Sequence, residues 1–104
     1  MSFNIENTIK DMTSAISGVI SGEWPGIKDC VEKAIDNEKE ALSDIAEARL
    51  NGDIDDEDMK SHLDDEKIAL EAALLACKVK AKVMAQKAAN AAIEVLKEAI
   101  KVAT

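Results

Sequence analysis

A chain of 104 residues with a net charge of −8 has the length of one folded domain, residues 1–104. Its only aromatic side chains are Phe3 and Trp24, too few to fill a compact core with rings. The bias toward Ala, Glu, Lys, Leu and Asp is that of long helices, and the acidity disfavours nonspecific binding of nucleic acid.

The charge is unevenly spread. Residues 1–75 carry 7 Lys and Arg against 19 Asp and Glu, a net −12, whereas residues 76–104 carry 6 Lys against 2 Glu, a net +4. The basic end reads first as a partner for acidic surface of its own or a neighbouring chain. It is also where a further protein partner would be sought. No segment nears the roughly 20 apolar residues of a membrane span. The start of the chain lacks a basic stretch followed by an apolar run, so a cytoplasmic protein is expected.

The first helix is expected over about 3–21. Ile5, Ile9, Met12, Ile16 and Val19/Ile20 recur on one helical face. Gly22 and Pro25 break it, Gly22 as a cap and Pro25 through its missing amide donor. A second helix is expected over 25–50, with Pro25 in its first turn. Its inward seam is Ile27, Val31, Ala34/Ile35, Glu38, Ala41/Leu42, Ile45 and Arg49. Asn51-Gly52 ends it, and Asp55 with Asp58 forms a capping-box pattern for the next helix. The acidic turn 51–59 matches only the second half of a calcium loop. Arg49 falls where calcium needs an oxygen ligand, and it pairs more naturally with Asp53 or Asp56.

Residues 55–103 contain no Gly and no Pro. They predict one uninterrupted helix of roughly 70 Å. Its seam runs through Met59, Leu63, Glu66, Leu70, Leu74, Cys77, Ala81, Met84, Ala88, Ala91/Ala92, Val95, Ala99 and Val102 at 4-3 spacing, that of a gentle left-handed supercoil. Folding at Gly52 sets Leu42 by Leu63, Ile35 by Leu70, Val31 by Leu74 and Cys30 by Cys77. The same register sets Ile16 by Ala88, Met12 by Ala92/Ile93 and Ile5 by Ala99/Ile100, with the first helix nearly in line with the second or packed on another chain. The expected fold is therefore all-α: a long antiparallel, coiled-coil-like helical hairpin with a short broken N-terminal helix, three helices per chain. A second apolar stripe, Ile68, Ala72, Leu75, Val79 and Val83, continuing to Ile93 and Ile100, is left uncovered by one hairpin. It predicts a homodimer meeting along 68–83 as a helical bundle.

Glu38 and Glu66 occupy opposing seam positions, with His62 one turn before Glu66. Carboxylates and a His on neighbouring helices are the raw material of a metal site in a bundle. The Glu-x-x-His spacing of such sites is missing, and Lys39 and Lys67 could neutralise the pair. The preferred reading is a polar layer that sets register, with no metal and no cofactor. Cys30 and Cys77 read first as reduced core residues, the alternative being a disulfide. One His, no Cys-x-x-Cys, no nucleophile triad and no Gly-rich phosphate loop argue against an enzyme. The chemistry-poor pattern points instead to a protein–protein interaction or structural module.

Ser21-Gly22-Glu23-Trp24-Pro25-Gly26, between helices in a chain of about this size, resembles the Trp-x-Gly turn of the WXG100-type secreted helical hairpins. The resemblance is confined to these six residues. It implies an exported helical protein, although here the motif lies near the N-terminus, a second turn stands at Gly52, and no Tyr is available for the export signature. The same residues also read as a Trp lid over the helix break, packing on Ala81. A membrane-surface role for the first helix is not favoured, because Glu6, Lys10 and Asp11 replace the basic flank such helices carry.

Overall fold

Asn4 starts the first helix, its side-chain oxygen accepting from the Asn7 amide at 3.0 Å. The computed structural model describes residues 3–104, and the described residues contain no strand. Four α-helices follow in order: α1 Ile5–Ile20, α2 Trp24–Leu50, α3 Asp56–Ala76 and α4 Lys82–Ala103. A single 3-10 turn, Ser21–Glu23, separates α1 from α2, and Pro25 sits in the first turn of α2, where its missing amide costs nothing.

The all-α class is as expected, but the long hairpin is not what forms. Helix 55–103 is broken at Cys77–Ala81, and α4 folds back on α3. The molecule measures 39 × 23 × 19 Å, which leaves no room for a helix of roughly 70 Å. Each helix packs on the next, and α4 closes the ring on α1, its most extensive partner. The first helix is also not in line with the second. Glu6 of α1 pairs with Lys39 of α2, so the two run in opposite directions about the 21–23 turn. Ion pair Arg49–Asp56 at one end and disulfide Cys30–Cys77 at the other fix α3 antiparallel to α2. The result is a four-helix bundle with α1 packed on its own chain.

The two turns that bound α3 use the same hydrogen bonding with different residues. After α2, Gly52 takes φ 81°, its amide donates to Arg49 O, and the Asp53 amide donates to Ala48 O. After α3, Lys78 takes φ 71°, its amide donates to Leu75 O, and the Val79 amide donates to Leu74 O. Both are Schellman turns, and the second includes the usual apolar contact pair, Val79 and Leu74, both buried. Asp55 then caps α3 with the expected reciprocal bonds to Asp58. Nothing comparable starts α4: Ala81 stands at its N-cap without a side-chain bond.

The core runs through all four helices. Met12, Ile16 and Ile20 come from α1; Val31, Ile35, Leu42 and Ala46 from α2; Met59, Leu63, Leu70 and Leu74 from α3. In α4 the buried face is broader than the expected seam. Ala88 and Ala92 of that seam are buried together with Ala85, Ala89, Ile93, Leu96 and Ile100, whereas Val102, expected on the seam, is exposed. Small alanines of α4 against α1 let these two helices approach closely, which is how so few aromatics suffice.

The two cysteines, read first as reduced core residues, are joined. Their Cα atoms lie 5.7 Å apart and they close a span of 47 residues. Removing that much loop freedom from the unfolded chain is worth about 4 kcal/mol on the chain-entropy account, less whatever the unfolded state already restricts. Replacing both residues (Cys30→Ser with Cys77→Ser) should lower the unfolding free energy by about 2–4 kcal/mol in urea titrations. Adding a reductant should lower that of the native chain equally and leave the variant unmoved.

Candidate functional site

One interior layer contains carboxyl groups. Met12 of α1, Ile35, Glu38 and Leu42 of α2, Glu66 and Leu70 of α3, and Ile93 of α4 surround a closed crevice that admits no water. Every helix contributes to it. Glu66 Oε2 is buried and has no hydrogen-bond partner. Outside this layer, Glu71 Oε1 is buried and unpartnered in the same way.

The cations expected to neutralise the pair do not reach it. Lys39 turns toward α1 and pairs with Glu6, which raises the Lys39 pKa from its ordinary value through that hydrogen bond. Burial raises the Glu66 carboxyl, and the hydrogen bond and charge of Glu38 and the charge of Asp65 add to the shift, bringing it to about 7. Protonated, Glu66 can donate to Glu38 within this apolar layer. Glu38 and Glu66 thus meet in an otherwise apolar layer.

The metal alternative is not assembled. His62 is exposed, and among the described residues no group of three His, Cys, Asp or Glu side chains is arranged to hold an ion. The physical reason is rotational: Glu66 points between α2 and α4, whereas His62, one turn earlier, lies on the solvent side. The acidic turn after α2 is a helix junction, with Arg49 Nε 2.7 Å from Asp56 Oδ1.

Two surface features stand out. Ile68, Leu75 and Val83 are 63%, 38% and 60% exposed, and Ala72 is exposed between the first two. Val79, expected on the same stripe, is instead 3% exposed, because the α3 turn folds it against Leu74. Ile93 and Ile100 leave the stripe for the core. Beside the stripe, Lys78, Lys80, Lys82 and Lys87 are exposed at the α3–α4 corner, and none makes an ion pair among the described residues. Farther along α4 the basic half does meet acid of its own chain: Lys60, Lys67 and Lys97 surround Asp64 and hold its carboxyl below the usual range, with the hydrogen bond from Lys60 the largest effect. Trp24 is half-buried and lines the groove between α1 and α2 with Ile9, Thr13 and Ser17; Ala81, its expected contact, is exposed.

Comparison of this chain with protein-family models, with curated proteins and with solved structures found no match.

The raised Glu66 pKa makes stability fall with pH. Below about 4.5 the acid is neutral folded and unfolded; between there and about 7 the folded state holds the proton more tightly, and stability is lost as pH rises through that window. Glu66→Gln keeps the shape and a donor toward Glu38 without the charge. It should add about 1–2 kcal/mol at pH 8 and almost nothing at pH 4, removing the Glu66 part of the slope between them in denaturant titrations.

Proposed function

We propose that this protein is a non-enzymatic helical interaction module that pairs with a second copy of itself through the face of α3 carrying Ile68, Ala72 and Leu75 and the adjoining Val83. The observation that carries this reading is the row of exposed large apolar side chains on a surface otherwise rich in charge. A second copy suits the charges. Asp65 lies at the Ile68 end, beside an Asp64 already paired with Lys60, and lysines 78, 80 and 82 lie at the Leu75 end. A two-fold axis between the ends sets Asp65 against those lysines. The absence of a nucleophile–base set in the sequence, and of a water-accessible site at the Glu38–Glu66 layer, supports a role in binding rather than reaction.

Sedimentation equilibrium tests this. The native chain should associate reversibly, and Ile68→Glu should raise the dissociation constant about tenfold or more, since two Ile side chains are uncovered per dimer. The circular dichroism of the variant should be unchanged, because Ile68 is outside the core. A monomeric native chain at high micromolar concentration sinks the reading.

A second reading concerns location. Disulfides persist in oxidising compartments and are rare in the cytoplasm, so the Cys30–Cys77 bond favours an exported protein over a cytoplasmic one. Acid-quenching native cells and alkylating the denatured chain tests it. No thiol should be modified; two modified thiols per chain would place the protein in a reducing compartment.

A further inference from the structure

The α3–α4 corner is a strained break in a segment whose sequence is that of one helix. Lys78 occupies the left-handed region, where a side chain is disfavoured and Gly is the usual occupant. Ala81 leaves the start of α4 without a side-chain cap. No Gly or Pro lies between Asp55 and Ala103. Leu70, Leu74, Cys77, Ala81, Met84 and Ala88 keep 4-3 spacing straight through the corner, as if it were helical. Only the position of α4 against α1 and α3 of the same chain requires the turn.

The geometry points to exchange of α4 between two copies of this chain, with residues 77–81 straightening into helix so that α3 and α4 become one rod and each α4 packs on the α1 and α3 of the partner. Every α4 contact of the closed bundle is remade with the second copy, so the exchange is decided at the corner and by the cost of association. Straightening relieves Lys78, supplies the missing helical hydrogen bonds over 77–81 and removes the uncapped end at Ala81. Against this it gives up the Schellman turn and withdraws Val79 from Leu74 onto the stripe of Ile68, Leu75 and Val83. The disulfide joins α2 to the end of α3 and is retained in either form. This exchange goes beyond the surface pairing proposed above and does not need Ile68, so the two fail separately.

Spin labels at Lys60→Cys and Lys101→Cys test it, the native cysteines being already oxidised. Both positions line one groove in the closed bundle. In the straight rod they are about 60 Å apart, 41 residues at 1.5 Å each. Doubly labelled chain is refolded at millimolar concentration with excess unlabelled chain, and monomer and dimer fractions are separated. The monomer should give the short distance and the dimer about 60 Å. Lys78→Ala, which leaves the strain and favours helix, should yield at least as much of this dimer. Lys78→Gly, which relaxes the closed corner and weakens the straight helix, should lower the dimerisation constant about 30-fold or more, since two corners straighten per dimer. Ile68→Glu should still give the long distance. A dimer that keeps only the short distance overturns the exchange, as does failure of both the native chain and Lys78→Ala to form a dimer that persists on dilution.

Discussion

The fold depends on one turn made without the residue that usually makes it. At Lys78 the chain reverses, α3 ends, and α4 is delivered to the open side formed by α1 and α3. A non-glycine residue in the left-handed region costs about 1–2 kcal/mol. Stronger interactions oppose that cost: the Val79 and Lys78 amides close onto Leu74 and Leu75, Val79 packs on Leu74, and α4 buries seven residues from Ala85 to Ile100. A Leu or Ile side chain buried from water contributes about 1.5–3 kcal/mol, so Ile93, Leu96 and Ile100 together outweigh the strain several times over. Cooperation of these contacts, rather than local preference, holds the corner.

The same comparison explains what could be read from the sequence. Gly52 and Lys78 sit at equivalent positions of equivalent turns, with φ 81° and 71°. The first was legible because Gly announces a left-handed residue and Asp55 announces the next cap. The second was not, since Lys and Ala are good helix formers and tertiary burial overrode them. From that omission follow the differences along the apolar stripe. A straight helix places Val79 with Ile68 and leaves Ile93 and Ile100 opposite the seam; a broken one buries all three. Two of the expected pairings are met, the first because α1 and α4 both fold back. Met12 and Ile93 share a layer, and Cys30 meets Cys77.

The candidate site was legible in part for a related reason. Glu38 and Glu66 both fall on seams, so a register argument brings them together whatever the global fold. What seam positions cannot supply is the surroundings. Lys39 was available to either Glu6 or Glu66, and only the folding of α1 back along α2 put Glu6 within reach. That choice leaves Glu66 without a cation to offset the burial and the Glu38 and Asp65 charges that raise its pKa. His62 shows the opposite limit: one turn from Glu66 in sequence, it faces solvent.

A bundle closed by a strained corner and tied by one disulfide separates two kinds of stability. The bond between Cys30 and Cys77 spans α2 and α3 and says nothing about where α4 packs. The α4 helix is held by burial alone, on a face built largely from alanine, with Lys97 near Asp64 at its rim. Alanine faces give close approach but little area per residue, so the free energy that keeps α4 in place comes mainly from Ile93, Leu96 and Ile100 toward its C-terminal end. Such a helix is released as a unit or not at all. Its attachment is the one part of this fold whose partner can be supplied equally well by the same chain or by another, and the composition of the corner sets the balance between them.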